Sequence, residues 1–394
     1  MHGNEAHYQA FLDSRASKGL RRFLLAVAAR EARTIRAEGQ SYINFSSNDY
    51  LGLRFNEALI GRAIEWAEQW GVGSGASRLV TGNLALFQPV EAKLARLKGK
   101  PAALVMASGF QTNASALQAL LDRSVLGAEP VVFADRLNHA SMHFGCQAAG
   151  ARQIRYRHCD AAHLGELLDH HKDDDRPKFI LTESVFSMDG DVAPIGDIVR
   201  LARAHEACLI VDDAHATGIL GEKGSGLSGE ADIVIGTFSK ALGSFGGFVA
   251  SSETVREYLI NRCAGVIYST ALPPPVLGAI DAALDAVPSM NAERAHVANL
   301  ADRFRAGARA AGLDTGLSTT QIVPVLLGTP EAALGMSARL REAGLWASSI
   351  RPPTVPPGTA RLRLAFAAAH QELDVDRLLE VLSARDAPRR ARAV

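Results

Sequence analysis

The 394-residue chain is poor in cysteine and in aromatic residues and carries no excess of either charge. Its four cysteines, Cys146, Cys159, Cys208 and Cys263, are widely spaced, with no CxxC pair. That spacing argues against a disulfide framework and against a zinc site, and a reducing cytoplasm suits it better. Lys plus Arg and Asp plus Glu balance at 42 each, so nothing in the charge points to nucleic acid or an anionic membrane surface as a partner. No apolar run approaches the roughly 20 residues of a membrane span. One short run needs weighing: Arg21-Arg22 followed by FLLAVAA imitates a twin-arginine export signal. It ends at Arg30-Glu31 without a small-residue cleavage site, so an amphipathic helix is expected there instead. There are no internal repeats. What remains is 47% hydrophobic and 21% charged, the balance of a soluble globular enzyme, at a length that suits two or three domains.

The most informative stretch runs from Ala207 to Lys240. Leu209, Ile210 and Val211 form a short apolar run that ends in Asp212, Asp213 and His215. After a Gly-rich connection, Asp232 to Gly236 forms a second run ending in Thr237, Ser239 and Lys240. Short β-branched runs that end in polar residues are the pattern of buried strands in a parallel sheet, with ligand groups where the strands stop. An acid, an imidazole, two hydroxyls and a lysine would then converge on one edge. That set suits pyridoxal phosphate: a lysine for a Schiff base, a carboxylate for the ring nitrogen, hydroxyls for the phosphate.

Taken in order, residues 1–46 read as a helical arm, 47–288 as a large domain, 289–384 as a smaller domain and 385–394 as a basic tail. SYINFSSNDYLGL (41–53) starts like a strand and becomes a polar turn with Asn48 and Asp49. Leu59 to Trp70 has helical spacing and stops at GVGSGASRLVTGN, whose Gly71, Gly73 and Ala76 imitate a dinucleotide fingerprint. That fingerprint must follow a strand, and here a helix precedes it, so a loop approaching a ligand or a second subunit is expected. AALVMASGF (102–110) reads as a strand whose Ser108, Gly109 and Phe110 open a helix, offering either ordinary capping or free N–H groups for a phosphate. PVVFADRLNHASM (130–142) is a strand with Asn138 and His139 in the turn after it, and FILTESVFSMDG (179–190) releases Glu183 and Ser187. Pro194 to His205 has helical spacing, and HHKDDDRPK (170–178) is a solvated charged loop. The repeated strand–helix units imply α/β architecture with a mostly parallel, doubly wound sheet, and the pattern from Gln321 onward implies a compact α+β segment.

Chemically, Asp212 or Asp213 would keep the cofactor's ring nitrogen protonated, His215 could reach its phenolic oxygen, and Lys240 would bind it and then act as a general base. A metal site at Asp212, Asp213 and His215 lacks a second cluster to complete it. A core lysine paired with Asp212 runs against the rarity of buried lysine without function.

The motifs NFSSNDYLGL, GSGASR, SGFQTN, DRLNHAS, TESVFSMDGD, VDDAHATG, TFSKALG and YSTALPP together resemble the α-oxoamine synthases, over residues roughly 20 to 370. The resemblance implies a fold-type I pyridoxal-phosphate transferase that joins an amino acid to an acyl thioester with decarboxylation. It assigns Lys240 to holding the cofactor, Asp212 to its ring nitrogen, His215 to its phenolic oxygen and His139 to stacking on the ring. Ser108, Gly109, Phe110, Ser187, Thr237 and Ser239 would line the cofactor and phosphate side. It implies a homodimer with shared active sites, in which Ser269 and Thr270 reach the phosphate across the interface. Arg21 and Thr354 match contacts to the acyl substrate, and Arg363, with Asn48 nearby, matches the grip on the amino acid's carboxylate. IRPPTVPPGTARLRL is most similar to the branch that uses L-alanine with pimeloyl-CoA or its carrier-protein equivalent. The neighbouring branches use glycine with acetyl-CoA or succinyl-CoA; an aminotransferase or a non-catalytic partner subunit stands outside them. No metal is implied.

Overall fold

The computed structural model describes residues 3–384, so the tail expected at 385–394 lies outside the described residues. The chain forms two compact units. The smaller takes the N-terminal residues up to Ser47, Met188–Gly190 and the chain from His296; the larger takes Asn48–Ser187 and Asp191–Ala295.

The small unit begins with an exposed helix, Gly3–Ser17, and a hairpin of β1 (Thr34–Ala37) and β2 (Gln40–Asn44). The helix expected over FLLAVAA is not formed: residues 21–27 have no regular structure, and Phe23 and Leu24 are 77% and 105% exposed. So short a helix needs cover for its apolar face. Here Ala28 instead exchanges backbone hydrogen bonds with Arg36 (2.8 and 2.6 Å), and the segment is drawn out beside the hairpin.

The large unit holds seven strands: β3 (Ala102–Met106), β4 (Val131–Asp135), β5 (Gln153–Tyr156), β6 (Lys178–Glu183), β7 (Cys208–Asp212), β8 (Ile233–Thr237) and β9 (Gly247–Ser251). Their order is β3-β9-β8-β7-β6-β4-β5. The pairings from β8 through β5 are parallel, and β9 runs antiparallel to both β8 and β3. That one reversal follows from the sequence. Every parallel neighbour needs a long crossover, whereas β8 passes to β9 through the short bend after Lys240. Every residue of β3, β4, β8 and β9 is buried, as a sheet covered on both faces requires. Leu117, Met142 and Cys146 from covering helices pack on Val132, Leu181, Ile210 and Ile235. Each such buried aliphatic contributes about 1.5–3 kcal/mol.

The rest of the small unit comprises β10 (Ile322–Gly328), β11 (Leu345–Trp346), β12 (Ser348–Ile350) and β13 (Ala360–Ala365). β10, β13 and β12 form an antiparallel sheet, and β11 pairs parallel with β2. Strand alternation sends Leu362 and Leu364 into a core with Phe45, Phe304 and Phe366, and leaves Arg361 and Arg363 on the other face. Both arginines are nonetheless buried, Arg361 in an ion pair with Asp189. His370 stacks on Phe45 with ring centroids 4.5 Å apart. Its Nδ1 accepts from the Ala367 N–H (3.1 Å) and its Nε2 lies 3.1 Å from the Asn44 carbonyl. The four cysteines are free thiols, and among the described residues no helix is long and apolar enough to cross a membrane.

Candidate active site

A cavity of about 230 Å³ opens where the strands of the large sheet end. Lining it are Asp212 from the end of β7, Thr237 from the end of β8, and Ser239 and Lys240 just beyond. Ser108, Gly109, Phe110, His139 and His215 complete the wall, together with Asn113 and Glu183. Nine residues assigned to the site from the sequence therefore meet in one place. Ser187 is half-buried in the loop after β6 and is not among the lining residues. Asn48 connects indirectly: its Oδ1 is 3.2 Å from the Tyr50 hydroxyl, which is 2.7 Å from His215 Nδ1.

The choice between the two adjacent aspartates turns on strand geometry, since consecutive side chains point to opposite faces. Asp212 faces the cavity, and its Oδ2 accepts from Asn113 Nδ2 at 2.6 Å. Asp213 is engaged elsewhere. Its Oδ2 accepts from Lys98 Nζ (2.6 Å) and Thr217 Oγ1 (2.9 Å), and its Oδ1 accepts from Ser184 Oγ (2.6 Å). Lys98 and Asp213 have no exposed side-chain surface. The seat for this pair requires glycine at Gly226, where φ is +88° and a Cβ would lie 1.7 Å from Asp213 Oδ2. A metal site built on both aspartates therefore loses one of its ligands to Lys98.

His139 caps the helix Ala140–Ala148, accepting at Nδ1 from the Ser141 backbone N–H (3.3 Å), with Ser141 Oγ 2.6 Å away. Ser141 Oγ in turn accepts from Asn113 Nδ2 at 3.0 Å, so one amide orients both Asp212 and the group that aims His139. Burial lowers the His139 pKa, with Asp212 opposing and Lys240 reinforcing the shift. The buried Glu183 carboxyl is pushed well above its usual range, first by burial and then by the Asp212 charge. Sequence reasoning missed Asn113, which sits inside SGFQTN as an apparently ordinary helical residue, and Glu183, which was seen only as a strand end.

On the other wall, Ser108 is the N-cap of the helix Gly109–Leu120, its Oγ accepting from the Gln111 N–H at 3.3 Å. The first-turn N–H groups and the helix dipole then face the cavity. Thr237 Oγ1 lies 2.8 Å from Ser239 Oγ and donates to the Gly246 carbonyl (2.6 Å), which fixes both hydroxyls. A Cβ on Gly109 would stand 3.2 Å from Thr237 Cβ, so glycine keeps this end of the cavity open.

Ser269 is half-buried and Thr270 exposed. Neither lines this cavity; Thr270 forms a backbone bridge with Ser77 of the GSGASR loop. Arg21, Thr354 and Arg363 belong to the small unit. There Arg21 lies over the Phe23 ring (5.3 Å to its centroid), while it is Arg22 that donates to Thr354 Oγ1 at 2.9 Å. Arg22, Thr354 and Arg351 line a small cavity of about 130 Å³ within that unit. Arg351 is held below the usual arginine range by burial and by the charges of Arg22 and Arg15.

Residues 40–382 match the family described as aminotransferase class I and II. The 8-amino-7-oxononanoate synthase of Gluconacetobacter diazotrophicus is 54% identical over 380 residues, covering 95% of this chain and 96% of that one. The enzyme of the same name from Geobacter sulfurreducens is 46% identical, covering 93% and 94%. Among solved structures, serine palmitoyltransferase from Sphingomonas wittichii matches with a TM-score of 0.87 at 27% identity, covering 97% of this chain and 96% of that one. The 8-amino-7-oxononanoate synthase from Francisella tularensis gives 0.75 at 27%, covering 87% and 97%.

Proposed function

We infer the activity from membership: the chain belongs to the class I and II aminotransferase family and, within it, to the 8-amino-7-oxononanoate synthases. The reaction is a decarboxylative condensation of L-alanine with a pimeloyl thioester, on CoA or a carrier protein, giving 8-amino-7-oxononanoate, the free thiol and CO2 for biotin synthesis. The observation that carries this reading is the meeting of Lys240, Asp212 and His139 with a helix N-terminus in one cavity.

The residues fit pyridoxal phosphate on their donor set. An acid already oriented by an amide, a lysine, an imidazole at the cavity wall and a hydroxyl-lined cradle kept open by Gly109 each match one part of that molecule. When bound, pyridoxal phosphate supplies an electron sink for charge developing at the amino acid's α-carbon. Lys240 would hold it covalently and, once released, would take the proton from that α-carbon and return one at the end. Asp212, oriented by Asn113, would keep a proton on the ring nitrogen through a charge-assisted hydrogen bond. His139 would cover the ring and exclude water, and His215, held by Tyr50, would donate to the phenolic oxygen. Ser108, Gly109, Thr237 and Ser239 would take the phosphate at the helix N-terminus, with Phe110 beside them and Ser187 from the loop after β6.

For the substrates, Arg363 would take the alanine carboxylate by its bidentate fork, with Asn48 assisting. Thr354 would contact the acyl donor, with Arg22 beside it and Arg21 as the neighbour expected from the sequence. The assembly is a homodimer in which Ser269 and Thr270 serve the partner's phosphate site. The free thiols suit the cytoplasm.

The test is an absorbance spectrum of cofactor-loaded protein as L-alanine and then pimeloyl-CoA are added, with thiol release and product mass followed together. A cofactor band that alanine perturbs, thiol release, and the mass of 8-amino-7-oxononanoate are expected. Glycine serving far better than alanine would move the chain to a sister synthase. A band that survives Lys240→Ala unchanged would remove the cofactor assignment.

A further inference from the structure

Three loops leave the carboxyl ends of neighbouring strands β6, β4 and β5. The loop after β5 carries His158, whose ring reaches across the other two. Its Nδ1 lies 3.0 Å from Asp135 Oδ1, at the end of β4, and its Nε2 lies 2.8 Å from Asp191 Oδ2, in the loop after β6. The imidazole meets the buried Phe186 ring edge-to-face, with centroids 4.3 Å apart. Asp135 has no exposed side-chain surface and also accepts from the N–H groups of Leu137 (2.9 Å) and Cys159 (2.8 Å).

We propose that His158 is a positioning residue for the cofactor cavity: as a cation clamped between Asp135 and Asp191, it sets the turn that carries His139 against the loop that carries Ser187. Asp135 lies four residues before His139, and Asp191 four residues after Ser187. The same loop is closed on itself by the Phe186 N–H to Asp191 carbonyl bond (3.1 Å). Moving either carboxylate therefore moves a residue assigned to the cofactor. Carboxylates only accept, so both ring nitrogens must donate, and the ring carries a positive charge. Burial acts to lower the His158 pKa, but the hydrogen bonds to Asp135 and Asp191 outweigh it and hold it up at about 12.

His158 Nε2, Cys159 Sγ and Asp191 Oδ2 lie within 3.7 Å of one another, as metal ligands would. Each ring nitrogen already faces a carboxylate oxygen, at 3.0 and 2.8 Å, so the charge clamp is the reading that fits. The groups facing the ring are Asp135 from β4, Asp191 from the loop after β6 and the Cys159 thiol beside it, whose pKa is raised by burial.

The inference rests on the cofactor reading of the cavity but not on the identity of the substrates. Its test uses the full chain, apo and reconstituted, with wild type, His158→Gln and Asp191→Asn compared at 10 °C, where circular dichroism confirms folding. Pyridoxal phosphate affinity is read by fluorescence titration, and the ring nitrogens by histidine-selective ¹⁵N NMR. The expected results are about tenfold weaker cofactor binding in His158→Gln, a smaller loss in Asp191→Asn, and a ring still doubly protonated at pH 9 in wild type. Affinity within twofold of wild type in both folded variants overturns the inference, as does a His158 ring that titrates near its usual value. A wild type that takes up no cofactor overturns the cavity reading along with it. If His158→Gln does not fold, Asp191→Asn and the NMR result decide.

Discussion

The two units hold the same side chain in opposite states, His158 half-buried and His370 fully buried. His158 in the large unit sits between two carboxylates and is held as a cation. His370 in the small unit lies on Phe45, accepts from one backbone N–H and faces one carbonyl, so it is neutral, with its pKa lowered to about 4 by burial. Burial disfavours charge at both sites, so the partners decide the outcome. The contrast extends to the neighbours. Around the cavity, buried Asp212, Glu183, Lys98 and Asp213 stand close to one another, whereas the small unit's core is chiefly Phe and Leu. In the large unit, buried charge gathers at the cavity; in the small unit, His370 is buried neutral, and the buried Arg361 and Arg363 keep to the face of β13 away from the apolar core.

The largest test of that contrast is Lys240→Ala. Turnover should fall by at least about 10²–10⁴, the range for losing general acid–base catalysis alone, while the melting temperature stays near wild type. A large loss of stability would mean that Lys240 is a packing residue and would erase the distinction. Next is Lys98→Met, which leaves Asp213 buried without its cation. Denaturant titration should show about 3–5 kcal/mol of destabilisation, because an uncompensated buried charge remains. A loss below about 1 kcal/mol would show that the pair is not the buried support for the β7 end that its geometry implies.

The pH response of His370 sharpens the comparison from the other side. The unfolded imidazole takes up its proton near 6.5 and the folded one only near 4. As pH falls through that window the unfolded state binds more protons, so stability drops, by a ceiling of about 3 kcal/mol below pH 4. Above pH 7 the effect vanishes. Unfolding measured from pH 7 to 4 should show this slope in wild type and a shallower one in His370→Leu. The smallest effect is expected at the surface of the small unit. Arg22→Ala should raise the KM for the acyl thioester by up to about fivefold, as an exposed charge contact allows, and Arg21→Ala should raise it less.

Much of the large unit was legible because its strands are short, apolar and followed directly by polar residues. The runs ending at Asp212 and Thr237 reveal both the sheet and the edge where ligand groups gather. Period-two alternation explains why Asp212 and Asp213 part ways, but not which of them faces the cavity. That depended on Lys98, 115 residues away, and on the opening at Gly226. Asn113 was hidden for a related reason: its role lies in two hydrogen bonds to groups far along the chain. FLLAVAA misled because its spacing suits a helix, and spacing does not show whether any surface will cover the apolar face.

The small unit joins the two ends of the chain. Ser46 Oγ accepts from the Ser348 N–H, 302 residues away, and His370 reaches the Asn44 carbonyl across 326. At ribosomal speeds of about 5–20 residues per second, roughly 15–60 s separate the synthesis of Ser46 from that of Ser348. All seven strands of the large sheet emerge within that interval, since they lie between Ala102 and Ser251. The nascent hairpin at Thr34–Asn44 has meanwhile neither Trp346 nor the C-terminal core to rest on. The small unit therefore consolidates last, and its earliest-made strands wait longest for their partners.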